Sequence, residues 1–284
     1  MASLKDISRR ISAVKNTQKV TRAMKLVAAA KLKRAQTATV ASRKYASEIH
    51  NITMRVSRHL GSRAPLMWQR PKEIKRIDLI VISSDRGLCG GFNENLFGQL
   101  EEEILTASHH DISIKLFVVG KKGVKHFSTK KYDVETPPPG LEENEAITWV
   151  IDRIIDRYKK GQSSGCNAVF NKFVSTSRQE PTFWNMLPLH KRGSGKERNL
   201  EYLYEPVRKS VLDFLCRESL VTTVRQAFLE SRAAELAARM LAMDNATKNA
   251  EEMVSHLTFV YNRARQEAIT SDLMDIVGGA EALK

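Results

Sequence analysis

Hydrophobic positions near both ends of the chain recur at alternating intervals of three and four. Leu4, Ile7, Ile11 and Val14 step by 3, 4 and 3; Ala38, Ala41, Tyr45, Ile49, Ile52 and Val56 by 3, 4, 4, 3 and 4; Val254, Leu257, Tyr261 and Ala264 by 3, 4 and 3. This is the seam of a coiled coil. Polar residues break the stripe at Gln18 and Thr21 and again at Asp244, Asn245 and Thr247. A seam so interrupted suits helices whose other faces also touch something.

Between these segments the period shortens. Ile77 to Ser83 is a compact β-branched run, Ile112 to Val119 a second and Asn167 to Thr176 a third, each read as a strand. Asn93 to Leu105 and Ala146 to Lys160 have helical spacing, and Pro137–Gly140 and Arg192–Gly195 read as loops. Strand, helix, strand, helix, strand implies a small α/β layer.

Glycine and proline sharpen the division. Residues 1–60 and 207–277 contain neither, whereas all eight prolines and twelve of the fourteen glycines lie between Gly61 and Pro206. Long stretches free of helix breakers predict long helices, about 85–90 Å and about 105–110 Å at ~1.5 Å per residue. The expected layout is a shaft helix over 1–60, an inserted α/β domain over 61–206 and a returning shaft helix over 207–284. The fold class is α/β: a long antiparallel coiled coil of the terminal helices with a small Rossmann-like domain inserted.

Charge is segregated in the same way. The chain of 284 residues carries +14, yet residues 1–76 hold 19 Lys and Arg against Asp6, Glu48 and Glu73, a net of +16. Like charges along one helix repel, so the excess points to an acidic partner or surface. No apolar run approaches the ~18–20 residues of a membrane span, and the first residues lack a secretory core. Cys89, Cys166 and Cys216 are too few and too scattered for a disulfide framework or a cysteine zinc site.

The chemistry a sequence of this kind might carry is thin. Arg86-Gly87-Leu88-Cys89-Gly90-Gly91 sits between a strand and a helix, but its glycines do not have dinucleotide-fingerprint spacing, and no phosphate-cradling GxxxxGK[ST] occurs. Tight turning and close packing of helix on strand account for these glycines better. The seven histidines form neither HExxH nor a ligand cluster, and Cys89 reads as a packed thiol. A basic helix also raises a nucleic-acid-binding coiled coil as the alternative, with Lys31, Lys33, Arg34, Arg43 and Lys44 on phosphates. The spread of charge along the whole helix differs from a dense basic region followed by a zipper.

Three blocks of residues carry a family resemblance. Leu4–Ile7 with Arg10, Ile11 and Lys19–Ala28, then Ser83–Asn93, then Ala233–Met240, Met243–Ala250 and Tyr261–Gln266 through Ile269, Thr270 and Gly278–Leu283 resemble, in order, the γ subunit of F-type ATP synthase. The resemblance implies a rotor shaft inside an α3β3 hexamer, with the α/β domain beside the ε subunit and the membrane c-ring. It implies that rotation couples proton flow to ATP synthesis or hydrolysis at β-subunit sites, and that the subunit is itself non-catalytic. No cofactor, metal, nucleic acid or direct small-molecule substrate is expected. The implied place is the cytoplasmic face of a bacterial inner membrane, ahead of an organellar inner membrane.

Residue by residue, the resemblance assigns Met24 and Lys25 to face an acidic β loop and Arg86 to a loop also near β. Arg239, Arg265, Gln266 and Thr270 match positions that hydrogen-bond within the shaft or catch a β loop. Asp272 stands where many members have Glu, one methylene longer. A thiol-regulatory insertion with paired cysteines is missing.

Overall fold

The computed structural model describes residues 4–57, 66–69, 71, 73–189, 205 and 207–281; the predicted loop 192–195 lies outside them. The chain forms two units, one made of residues 1–29 and 239–284 and the other of residues 30–238. Its elements in order are α1 (Leu4–Ser57), a 3-10 turn (Leu66–Trp68), β1 (Arg76–Ile82), α2 (Phe92–His109), β2 (Ser113–Val119) and α3 (Lys121–Thr129). They continue with β3 (Val134–Glu135), α4 (Glu143–Lys159), β4 (Gly165–Phe173), β5 (Gln179–Leu187) and α5 (Arg208–Glu281).

In the smaller unit the first part of α1 lies against the last part of α5. Ile7, Thr21 and Ala28 are buried, with Leu4, Ile11, Val14 and Gln18 partly so, and on α5 Met243 and Ala250 are buried. Four of the polar interruptions, Gln18, Thr21, Asp244 and Thr247, are therefore seam residues, whereas Asn245 is exposed. Thr247 donates to Thr21 Oγ1 at 2.8 Å, and Lys25 reaches Asp244 at 2.6 Å. As the α1 number rises, the α5 number falls, so the two helices run antiparallel.

The larger unit holds the rest of both helices and the sheet. Here the buried and half-buried α1 positions include Leu32, Ala35, Thr39, Ser42, Ala46, Ile49, Thr53 and Val56, while Ala38, Ala41, Tyr45 and Ile52 are exposed. The seam predicted for this part is thus one residue out of register at those four exposed positions. The spacing that begins at Leu4 continues without a break, and it selects Thr39 and Thr53 over their apolar neighbours. Those threonines are satisfied internally: Thr39 donates to Ala35 and Leu229 carbonyls, Thr53 to those of Ile49 and Leu215. Glu230, only 2% exposed, accepts on one oxygen from Arg43 Nε (3.0 Å), Arg43 Nη2 (2.6 Å) and Gln226 (3.1 Å).

The sheet has five strands in the order β3-β2-β1-β4-β5, parallel except for the antiparallel pair β4–β5. Ile80 lies opposite Phe117 on one side and Ala168 on the other. One face, with Ile80, Ile82, Phe117, Ala168 and Phe170, packs with Ile147, Ile151 and Ile154 of α4 and Leu212, Leu220 and Val224 of α5. The other, with Leu79, Val81, Leu116, Val118 and Val169, packs with Leu96, Phe97 and Leu100 of α2 and Phe127 of α3. Arg217, Arg225 and Arg232 of α5 bond Asp152, Asn144 and Glu143 of α4.

One charged pair lies within the sheet layer. Asp78 of β1, its side chain inaccessible to solvent, accepts from Arg157 Nε at 3.0 Å and Nη2 at 3.1 Å. Burial pushes the Asp78 carboxyl above its ordinary value, against the downward pull of Arg157.

The three predicted strands and two predicted helices of the insertion are β1, β2, β4, α2 and α4. Two further strands and α3 join them. The third predicted strand is shorter than its sequence suggests: β4 ends at Phe173, and Val174, Ser175 and Thr176 belong to the turn that leads into β5.

Candidate functional site

The residues singled out by resemblance fall in both units. In the smaller one, Met24 and Arg239 are half-buried and Arg265, Gln266 and Thr270 are exposed. Lys25 is held across the helix pair by Asp244, which also receives Lys248 at 3.3 Å. The Lys25 hydrogen bond, then Lys248, draws the Asp244 carboxyl below its ordinary value. Asp244 thus supplies a shaft contact that its reading as a seam interruption misses; a lysine one helical turn beyond Thr21 on the facing helix is the signal that finds it. Thr270 turns its hydroxyl back to the Gln266 carbonyl at 2.9 Å, and Arg263 pairs with Glu267 beside Arg265. Asp272 belongs to α5, but its side chain lies outside the described residues.

The outer face of α1 in this unit carries Lys5, Arg9, Arg10, Lys15, Lys19 and Arg22, all exposed. Among the described residues none of the six has an acidic partner within ion-pair distance. On α5 Asp244 and Glu267 are engaged by other cations, and Glu251 and Glu252 are exposed without an ion pair to any of the six. Residues 4–29 hold seven Lys and Arg against Asp6 alone, so the α1 surface here is strongly positive.

Arg86 belongs to the larger unit, in the loop between β1 and α2. That loop is fastened from several sides. Lys121 N–H donates to Asp85 Oδ1 (3.0 Å), Lys122 N–H to the Ser84 carbonyl (3.1 Å) and Gly123 N–H to Ser83 Oγ (2.9 Å). The first amides of α3 are thereby satisfied by the neighbouring loop. Asn93 bonds the Ser84 hydroxyl and amide, and Asn171 donates to the Phe92 carbonyl. Cys89 and Phe92, 2% and 4% exposed, pack with Ala234 and Ala238 of α5.

Two glycines permit this closeness. Gly120 has φ +106, and a Cβ there would fall 2.2 Å from the Ser83 carbonyl oxygen; a Cβ at Gly123 would fall 2.6 Å from Ser83 Oγ. Gly90 takes φ +58 to complete the turn into α2. In parallel α/β sheets a helix start beside a strand end is where a phosphate would sit. Here Asp85 supplies the anion from within the chain, so the loop is built for attachment. Spacing along the sequence does not reveal the cap, because Ser83 and Asp85 lie 36 to 40 residues from the amides they serve.

Comparison with known proteins is consistent along the whole chain. The family model described as ATP synthase matches residues 3–283. The ATP synthase gamma chain of Prosthecochloris aestuarii is 40% identical over 291 aligned positions, covering 100% of this chain and 99% of the relative. That of Pasteurella multocida is 38% identical, covering 100% of both. Among solved structures, a chain from the Euglena gracilis mitochondrial ATP synthase (OSCP/F1/c-ring, rotational state 3) superposes with a TM-score of 0.66 at 18% identity, covering 99% of this chain and 94% of that one. A chain of the central stalk/c-ring of the Tetrahymena thermophila mitochondrial ATP synthase gives 0.59 at 20% identity, over 80% and 99%. At such identities these two structures show the shared fold: terminal helices packed together with an inserted five-stranded α/β sheet. The relatives favour the shaft over the nucleic-acid alternative. Full-length matches above 30% identity and an almost complete family-model match place the chain in the ATP synthase gamma-chain family.

Proposed function

We propose that the chain turns as a shaft between a membrane c-ring and an α3β3 hexamer, coupling ion flow to ATP synthesis or hydrolysis at sites on the β subunits. As a gamma chain it is the central-stalk, non-catalytic rotor subunit of F-type ATP synthase. The segments 1–60 and 207–284 serve as the shaft, and 61–206 as the domain that meets the ε subunit and the c-ring. Gamma-chain relatives from bacteria favour the cytoplasmic face of a bacterial inner membrane, with the chain peripheral. Among the described residues no helix is long and apolar enough to cross a membrane.

The observation that carries the reading is the set of six exposed cations on α1 that have no ion-pair partner among the described residues. A rotor must meet several copies of one partner in turn without locking to any of them. Long-range attraction between a basic surface and an acidic loop tolerates sliding, which a deep apolar interface does not. Met24, Lys25, Arg239, Arg265, Gln266, Thr270 and Asp272 are the proposed contacts along the shaft, and Arg86 the contact from the loop. Lys25 exchanges Asp244 for a partner carboxylate as the shaft turns.

The test is reconstitution of the chain with α and β subunits in membranes lacking their own shaft. Replacing Lys25 and Arg86 together by glutamine lowers proton-driven synthesis several-fold while assembly is retained. An unchanged synthesis rate refutes these two contacts, and failure of the wild-type chain to assemble refutes the shaft.

A further inference from the structure

The tip of the β1–α2 loop contains an exposed leucine in a conformation that leucine disfavours. Leu88 has φ +63, and its side chain is 63% exposed. In the left-handed region the Cβ of an ordinary residue crowds the following carbonyl, a cost that glycine escapes. The same loop uses glycine at φ +58 two residues later. Leucine at position 88 thus brings neither burial nor a relaxed backbone to the isolated chain.

The surroundings make the position rigid. On one side Asp85 is bound to the α3 amide, and on the other Cys89 is sealed against α5. Only Arg86, Gly87 and Leu88 lie between these anchors, and Arg86 and Leu88 are both exposed. The Ser84 hydroxyl donates to the Arg86 carbonyl at 2.8 Å, which fixes the rise of the tip. A backbone outlier held by its neighbours, with an apolar side chain kept in solvent, is a device for binding.

We propose that Leu88 is the apolar anchor of this loop, entering a hydrophobic socket on a β subunit whose rim carries a carboxylate for Arg86. The inference rests on the shaft reading and names a second residue for the contact assigned to Arg86. The pairing of an apolar knob with a cation two residues away selects that socket chemistry over a purely acidic one.

The experiment titrates the full-length chain against purified α3β3 and follows thermal unfolding of the free chain. Leu88→Asn keeps a residue that accepts the left-handed region but removes the apolar group. It lowers affinity for α3β3 about tenfold or more, as expected for loss of a buried leucine, while the free chain melts no lower than wild type. Leu88→Gly behaves likewise and melts slightly higher. Leu88→Met, which keeps the apolar volume, stays within about threefold of wild type. Wild-type affinity in Leu88→Asn and Leu88→Gly overturns the anchor while leaving the shaft reading intact. Absence of wild-type binding overturns both.

Discussion

Arg157→Met isolates the energetics of the charged pair inside the sheet. The Asp78 side chain has no solvent exposure and receives two hydrogen bonds from Arg157. Without the guanidinium, a bare carboxylate in this place costs about 3–5 kcal/mol. The chain has an escape, since Asp78 can bind a proton instead. Holding it neutral costs about 1.4 kcal/mol for each pH unit above its ordinary value of 3.8, so the penalty is limited to about 4 kcal/mol at pH 7 and about 1.5 kcal/mol at pH 5. The variant therefore regains stability as the solution is acidified. In the intact chain the direction is the same but weaker: Asp78 titrates above its unfolded value, so its contribution is complete below that value and is lost as pH rises. The assay is urea unfolding followed by tryptophan fluorescence, which reports the larger unit because Trp68, Trp149 and Trp184 all lie in it. Adding Asp78→Asn to Arg157→Met removes the pH dependence and recovers much of the loss at pH 7. Equal losses at pH 5 and pH 7, or no recovery in the double variant, refute the reasoning.

Three further outcomes follow from the described contacts. Gly120→Ala places a Cβ against the Ser83 carbonyl at φ +106, and it destabilises the chain by about 3 kcal/mol or more; hydrogen exchange at the Lys121–Gly123 amides accelerates, and unchanged protection there contradicts the cap. Arg43→Met strips two of the three donors from the bonded Glu230 oxygen, leaving Gln226, and costs about 2–3 kcal/mol by thermal or urea unfolding; Glu230→Leu and Gln226→Leu added to it recover most of that loss, because no buried polar partner is then left unpaired. Glu101 is lifted by burial, but Lys130 and then His126 outweigh this and hold it below its ordinary 4.5; its contribution is present above that value and lost as pH falls through the folded one, so Glu101→Gln flattens the acid limb of a pH–stability curve.

The terminal helices and the five principal elements of the insertion are legible because period and breaker content act locally. The register of α1 beyond Leu32 is harder to read. Ala38, Ala41, Tyr45 and Ile52 form the more apolar stripe, yet Thr39 and Thr53 occupy the seam because helical carbonyls satisfy their hydroxyls. Hydrophobicity ranks those positions wrongly, whereas the unbroken spacing from Leu4 ranks them correctly. α3 escapes notice because Lys121–Thr129 is short and contains Gly123, and its amides are capped by loop residues rather than by its own cap. β5 contains Pro181 at a sheet edge, where proline is tolerated but weakens the strand signal. The partner contacts are named by resemblance alone. The ties that fix the loop join residues 36 to 40 positions apart, beyond the reach of spacing arguments, and the Lys25–Asp244 tie becomes legible only once the two terminal helices are set in register.

The carboxylate of Asp85 at the start of α3 makes that end of the sheet electrostatically self-sufficient. Because the anion is covalently part of the chain, it never dissociates and never has to be gathered from solution. With the Lys121 amide already occupied by Asp85, hydrogen exchange at that amide is expected to stay the same whether or not millimolar phosphate is added.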